Sequence, residues 1–306
     1  MIDSPVATWK DLYAVAASRL GDGPEARWVV EEAGGEPWPA LMVSDTRASE
    51  KARSRLQAML DRRLAGEPLQ YVLGHWAFRR LDLMVDRRVL IPRPETEQVV
   101  EVALAELDRL TPRGPEAAAS ARPESMPPRP APTVVDLGTG SGAIALSIVA
   151  ERARVRVWAT DASDDALAVA GANLAGLAGF AATRVRLCGG SWWSALPGEL
   201  EGKVDLVVSN PPYVATSEMP GLDGEVLDWE PQLALEAGPT GVEAVEEILS
   251  SAPSWLRPGG VAVLEIAPHQ SARAKRAARL AGFAHAEVHP DLAGRDRVLV
   301  ARTRGP

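Results

Sequence analysis

Val134-Val135-Asp136-Leu137-Gly138-Thr139-Gly140-Ser141-Gly142-Ala143-Ile144-Ala145-Leu146 decides the fold of this 306-residue chain. The stretch reads as a buried strand, a glycine loop and the opening turns of a helix. Glycines let the backbone turn tightly and approach a ligand closely, and a helix N-terminus offers unpaired N–H groups. Gly138, Gly140 and Ala143 satisfy the looser dinucleotide fingerprint, so a nicotinamide enzyme has to be weighed. Two details oppose it. The loop carries an additional glycine, Gly142, and an acid, Asp136, precedes the first glycine at the strand end.

Downstream, Val155-Arg156-Val157-Trp158-Ala159-Thr160 reads as the next strand and ends at Asp161. A carboxylate in that place can take both hydroxyls of a ribose; capping the following helix is its plainer use. A third strand, Val204-Asp205-Leu206-Val207-Val208-Ser209, runs into Asn210-Pro211-Pro212-Tyr213. The tetrapeptide therefore sits just beyond the carboxyl end of a strand, where open α/β sheets place their ligands. Two prolines fix two φ angles and remove two N–H groups, leaving stiff main chain rich in carbonyl acceptors. Asn210 adds a carboxamide and Tyr213 an aromatic face, a set suited to holding a planar NH2 group.

The glycine loop with Asp136 resembles the S-adenosylmethionine loop, where no pyrophosphate needs a cradle. Together with Asp161 and Asn-Pro-Pro-Tyr, it resembles the amino-methyltransferases that act on planar amide or exocyclic nitrogen atoms. Further stretches narrow the resemblance to the peptide chain release factor glutamine methyltransferases. These are Gly66-Glu67-Pro68-Leu69-Gln70-Tyr71-Val72-Leu73-Gly74, Leu90-Ile91-Pro92-Arg93-Pro94-Glu95-Thr96-Glu97, Glu230-Pro231 and Gly294-Arg295-Asp296-Arg297. The resemblance covers Ala48 to the end, with a loose fit before that. It implies S-adenosyl-L-methionine as cofactor, bound by Gly138, Thr139, Gly140, Ser141, Gly142, Asp161, Trp192 and Asn210. It also implies that Asn210, Pro211, Pro212 and Tyr213 bind the substrate and carry the catalysis. Trp192 would wall the adenine while its neighbour Trp193 is free to fill the core. Ser191 departs from the family, which has an acid there to accept from the adenine amine; serine does so more weakly, which puts cofactor affinity in question.

The implied reaction is methyl transfer to the side-chain amide nitrogen of the glutamine in a release factor's Gly-Gly-Gln motif. Alternatives are a methyltransferase acting on an exocyclic amine of RNA or DNA, one acting on a ribosomal-protein glutamine, or a cofactor-binding module without catalysis. Charge bears on the choice. The chain has net charge −8, but Ala195–Ser250 holds twelve acids and one base, Lys203. A nucleic-acid enzyme neutralises phosphates close to the reacting base, and an acidic face opposes that while tolerating a sulfonium. Arg47–Arg93 is net basic, with eleven Lys/Arg against five Asp/Glu. Arg79, Arg80, Arg87 and Arg88 there are candidates for gripping a protein partner, or simply a solvated surface.

A hydrophobic share of 46% is ample for a buried core. The single cysteine, Cys188, excludes an internal disulfide framework and suits a reducing compartment; in its apolar run it is expected to be inert core. The four histidines are scattered without metal-ligand spacing. No signal-like start and no stretch of about 18 apolar residues occur, so a cytoplasmic protein with no membrane contact, no metal and no direct nucleic-acid binding is expected, as a monomer.

The expected fold is α/β: a Rossmann-like methyltransferase sheet with a small N-terminal helical domain joined by a β-hairpin. Residues 1–74 read as a helical substrate-docking domain, with Ala52, Leu56, Met59, Leu60 and Leu64 on one helix face ended by Gly66 and Pro68. Residues 75–94 read as the hairpin, from the alternation of Trp76, Phe78, Leu81, Leu83 and Val85. Residues 95–306 form the methyltransferase domain, opening on a helix from Glu95 to Leu110. Within it, Thr111–Pro132 holds seven prolines in 22 residues and reads as a flexible insertion. After Arg257-Pro258-Gly259-Gly260 a strand is expected from Val261, and a closing hairpin from His285–Val288 and Val298–Ala301.

Overall fold

The computed structural model describes residues 7–43, 46–111, 130–177 and 179–305. They fall into two compact units. One comprises the chain up to Trp76 with Val85–Arg87 and Asp223–Trp229; the other comprises Ala77–Met84, Arg88–Leu222 and Glu230 onward. The proline-rich insertion read over Thr111–Pro132 lies almost entirely outside the described residues.

The first unit contains the helices Trp9–Leu20, Pro24–Gly34, Trp38–Val43, Glu50–Leu64 and Leu69–Leu73. Thr8 and Asp11 close a reciprocal capping box at the first helix, and Ser49 caps the fourth. Leu12, Ala16, Val29, Val30, Leu56 and Leu60 are fully buried between these helices. Leu64, expected on the buried face, is exposed, and Ala52 is half-buried; only Leu56, Met59 and Leu60 of that stripe reach the core. The Gly66–Gly74 stretch gains a physical reason here. Glu67 holds the Arg62 guanidinium at 2.7 and 2.5 Å, and Arg62 in turn donates to the Tyr71 carbonyl at 2.8 Å. A satisfied fork thus ties the end of one helix to the next.

The second unit is built on a seven-stranded sheet. With β1 at His75–Phe78 and β2 at Leu81–Met84 forming a separate two-stranded ribbon, the sheet contains β3 (Thr133–Leu137), β4 (Arg156–Asp161), β5 (Val185–Gly189), β6 (Val204–Ser209), β9 (Leu256–Glu265), β10 (His285–Pro290) and β11 (Asp296–Arg302). Two further strands, β7 (Val214–Ala215) and β8 (Glu236–Gly238), pair with each other. The sheet order is β10-β11-β9-β6-β3-β4-β5, parallel except for the closing β10/β11 hairpin and its pairing to β9.

Both faces of this sheet are covered, so its strands read as apolar runs rather than alternating ones. Val134, Leu206, Val208, Val261 and Val263 face one cluster, with Val99, Ala103 and Leu107 of helix Pro94–Leu110 and Ile148 of helix Ala143–Glu151. Their odd-even partners Val135, Leu137, Val207, Ala262 and Leu264 face the other, with Val245, Ile248 and Leu249 of helix Glu243–Trp255. The period of two is visible in which cluster each neighbour joins. Chain order reverses between β3 and β6, since β4 and β5 follow β3 outward on one side and β6 and β9 on the other. That switch opens a crevice beyond the strands' carboxyl ends, between Gly138 and Asn210.

Two further expectations change. The strand expected from Val261 begins at Leu256 and passes through Pro258-Gly259-Gly260; Val204 pairs with Leu256 but Leu206 with Val261, so the glycines form a bulge inside the strand. Cys188, expected in the core, is half-buried on the sheet-edge strand β5, with its thiol pKa raised by burial.

Candidate active site

Gly138, Gly140 and Gly142 all have positive φ, at 71°, 56° and 85°. A side chain at any of them would strain the loop. Around Gly140 there is also open space, since an added Cβ would meet no atom within 4 Å. Asp136 braces the loop from beneath: its Oδ2 accepts from Thr139 Oγ1 at 2.6 Å and from the Ala145 N–H at 3.1 Å, inside the first turn of the following helix. Burial, against these hydrogen bonds, pushes the Asp136 carboxyl up to about 7, and the nearby Asp161 adds to the rise.

Asp161 is not the cap of the helix after it. Ser163 does that, accepting from the Ala166 N–H at 3.2 Å. Asp161 accepts one bond on each oxygen, from the Gly140 N–H at 2.8 Å and the Ser163 N–H at 3.0 Å. A carboxylate has about four lone-pair positions, so capacity for two further donors remains. Of the tryptophan pair, Trp193 is buried and stacks on Trp255 at 5.6 Å between centroids, donating to the Ile248 carbonyl. Trp192 stands at φ 43°, a costly backbone for a bulky residue, with its ring 3.5 Å from where a Cβ on Gly138 would be.

Asn210 leaves the end of β6, where Ser209 Oγ donates to the Leu137 carbonyl at 2.5 Å and ties β6 to β3. The Asn210 Nδ2 donates to Thr96 Oγ1 at 3.2 Å, and Thr96 Oγ1 donates to Glu265 Oε2 at 2.8 Å. The Tyr213 hydroxyl reaches Glu265 Oε1 at 3.4 Å. Gln270 Nε2 clamps the backbone behind the motif, donating to the carbonyls of Tyr213 and Gly241 at 2.8 Å each. Burial lifts Glu265 to about 7 against the opposing pull of Thr96 and Arg297, and it raises the Tyr213 phenol as well.

Gly138, Thr139, Gly140, Ser141, Asp161, Trp192, Asn210 and Pro212 line one cavity of about 340 Å³, together with Ser191. That is large enough for a small-molecule ligand. Gly142, Pro211 and Tyr213 do not line it. Gly142 is the N-cap of the helix, Pro211 is buried, and the Tyr213 hydroxyl is turned to Glu265. Four carboxylates, on Asp161, Glu236, Glu243 and Glu247, line the cavity against one base, Arg88, which suits a cationic ligand. Open space beside glycines, spare acceptor capacity on Asp161, an aromatic wall and negative charge fit the nucleoside and sulfonium of S-adenosylmethionine. Among the described residues no helix is long and apolar enough to cross a membrane, and no three His, Cys, Asp or Glu side chains gather to hold a metal.

Sequence reading missed Thr96 and Glu265 as site residues, although Thr96 stands inside the Leu90–Glu97 stretch that it singled out. The structure explains that stretch. Arg93 pairs with buried Glu230 at 2.5 Å, Glu95 with Arg295 at 3.2 Å, Thr96 with Glu265 and Asn210, and Glu97 with the Arg79 N–H at 2.9 Å. Glu230-Pro231 and Gly294–Arg297 are thus the distant partners of the same stretch. Arg79, expected to grip a partner, is occupied by Glu151 at 2.6 Å and Glu101 at 3.0 Å. An acid closing an apolar strand, as Glu265 does, was the available signal for it.

The chain matches the Methyltransferase small domain over residues 119–222 and the PrmC N-terminal domain over residues 16–74. It is 44% identical to a release factor glutamine methyltransferase of Moorella thermoacetica, over 83% of this chain and 81% of that one. The same enzyme of Cereibacter sphaeroides is 41% identical, over 82% and 80%. Among solved structures, the hMettl16 catalytic domain in complex with MAT2A 3'UTR hairpin 6 shares the fold at TM-score 0.50 and 14% identity, over 84% of this chain and 82% of that one. At that identity the likeness concerns the fold alone. With its glycine loop, its Asn-Pro-Pro-Tyr cavity wall and relatives of this identity along most of its length, the chain belongs to the release factor glutamine methyltransferase family.

Proposed function

We propose that this chain transfers a methyl group from S-adenosylmethionine to the side-chain amide nitrogen of the glutamine in a release factor's Gly-Gly-Gln motif. The observation that carries the reading is the anchored Asn210 carboxamide. Its Nδ2 is bound to Thr96, which lines the same cavity, and its Oδ1 is left as the accepting end. Bound S-adenosylmethionine supplies an electrophilic methyl on a sulfonium.

An amide nitrogen is a poor nucleophile because its lone pair is delocalised into the carbonyl. The titratable groups joined to Asn210 through Thr96 are Glu265, which accepts from Thr96, and Tyr213, which donates to Glu265, and neither is assigned the role of base. Orientation therefore does the work. Asn210 Oδ1 accepts one N–H hydrogen, and the carbonyl of Pro211, next in the chain though not itself lining the cavity, is assigned the other; together they hold the nitrogen toward the methyl. They also stabilise the positive charge that grows on that nitrogen. Positioning of this kind is worth roughly 7–11 kcal/mol of the barrier. The nitrogen's surplus proton leaves to water after transfer.

The N-terminal helical region, residues 1–74, we assign to docking of the release factor away from the reacting loop. The acidic cavity lining supports a protein substrate with no direct nucleic-acid contact, and a substrate of the translation machinery suits a cytoplasmic protein, to which we assign the monomeric state. Incubation with methyl-labelled cofactor and cell extract tests the reading. Label is expected in a protein of release-factor size; label in RNA or DNA would replace it with the exocyclic-amine reading.

A further inference from the structure

A carboxamide is nearly symmetric in shape. Turned by 180°, Asn210 would present two N–H donors to an incoming NH2 group and repel it. Something must decide which end faces the cavity. Thr96 Oγ1 lies 3.2 Å from Asn210 Nδ2 and 2.8 Å from Glu265 Oε2. A hydroxyl has one proton, and an ionised carboxylate only accepts. Thr96 therefore spends its proton on Glu265 and offers only lone pairs to Asn210, which must answer with its NH2 end.

We propose that Thr96 and Glu265 are positioning residues, a hydrogen-bond relay that fixes the acceptor end of the Asn210 carboxamide toward the substrate amide. The proposal rests on the amide-cradle reading above. Glu265 closes β9, is almost fully buried and accepts from Tyr213 on its other oxygen, so one carboxylate orients two members of the motif. Burying a carboxylate is costly, and an apolar residue would serve the core better. The acceptor-only chemistry of the carboxylate gives it a use.

The relay also has a direction that protonation reverses. A protonated Glu265 donates to Thr96, whose hydroxyl proton then turns to Asn210 and favours the inverted carboxamide. The charged groups facing Glu265 are Arg297 from β11, which holds it ionised, and Glu95 from helix Pro94–Leu110, which opposes that; Tyr213 faces it from the motif, with Arg93 beyond. Burial pushes the Glu265 carboxyl up to about 7.

The test uses the full chain, intact release factor and saturating cofactor. Thr96→Val is expected to lower kcat roughly three- to tenfold, the scale of one hydrogen bond, with cofactor Kd unchanged by calorimetry. Thr96→Ser, which restores the hydroxyl, is expected to recover most of the loss. Glu265→Gln, whose amide oxygen still accepts from Thr96 but does not titrate, is expected to remove the acid-side fall of kcat. Wild-type kcat in Thr96→Val, equal damage from Ser and Val, or an unchanged acid limb in Glu265→Gln each overturns the relay. The last holds even where Thr96→Val does not fold. A wild type that leaves the glutamine unmethylated overturns the cradle reading itself, whereas methylation indifferent to Thr96 overturns the relay alone.

Discussion

Gly241→Ala is expected to harm catalysis from a position outside the cavity lining. Gly241 stands at φ 78°, and a Cβ there would lie 2.8 Å from the Tyr213 carbonyl oxygen, 2.9 Å from Gln270 Nε2 and 3.1 Å from the Ala215 nitrogen. Two of these are backbone atoms, and the third is a side chain already holding three partners: the carbonyls of Tyr213 and Gly241, and the Ala267 N–H. None yields cheaply. The left-handed backbone alone costs about 1–2 kcal/mol for alanine. Losing the Gln270 clamp adds about 0.5–1.5 kcal/mol for each displaced hydrogen bond. The sum, about 2–5 kcal/mol for the two bonds to the Tyr213 and Gly241 carbonyls, corresponds to a Tm lower by roughly 2–4 °C for each kcal/mol. The carbonyl being pushed belongs to the motif, so Asn210 and Pro211 shift with it. Differential scanning calorimetry with steady-state kinetics is the assay: Tm and kcat should both fall, while cofactor Kd stays near wild type. An unchanged Tm with full turnover would show that the clamp neither holds the motif nor feels the added methyl.

Other outcomes follow from the same geometry. Gly140→Val should abolish S-adenosylmethionine binding in calorimetry with a modest loss of Tm, because its side chain enters open space; retained affinity would remove the loop from the cofactor site. Asp161→Ala should weaken cofactor binding by about 1.5–3 kcal/mol, the worth of bonds to a charged acceptor, and tight NAD binding by the wild type would contradict the assignment. Glu265 has a folded pKa raised from 4.5 to about 7, so its stabilising contribution is full below the unfolded value and is lost as pH rises through 7. The Tm of Glu265→Gln relative to wild type should therefore climb between pH 5 and pH 8, and a constant difference would place the carboxyl in an ordinary environment. Short Gly-Gly-Gln peptides should be much poorer substrates than the whole release factor, since remote binding energy positions the reacting group; equal kcat/KM would argue for a mechanism without docking.

The strands of the parallel sheet were readable because each carries an apolar run ending at a polar residue, as in Val204–Ser209 before Asn210. The helix from Glu95 to Leu110 was readable from its apolar period. Less readable was β9, since Pro258-Gly259-Gly260 has turn composition yet forms a bulge within a strand, a choice made by the pairing of β6. Leu64 shares the period of a buried stripe, but the period does not say how far the neighbouring helices extend. The loop, Asp161 and Asn210–Tyr213 could be named from their places after strands. The relay beneath them could not, because Thr96 and Glu265 stand 169 positions apart and only the folded sheet brings them together. A single sequence marks which residues are unusual, as Leu90–Glu97 is, without stating which distant partner each one holds.

The central claim is that Asn210 holds a glutamine amide for methylation, and a single-turnover comparison of wild type with Asn210→Ala on intact release factor tests it most directly. Peptide mass spectrometry locates the methyl, and calorimetry follows the cofactor. Wild type should place one methyl on the glutamine of Gly-Gly-Gln. Asn210→Ala should do so at least about a hundredfold more slowly, the scale of losing one preorganised hydrogen-bonding group, with a smaller change in cofactor affinity. Near-normal turnover by Asn210→Ala at saturating substrate, or a methyl found on any other atom, would contradict the account.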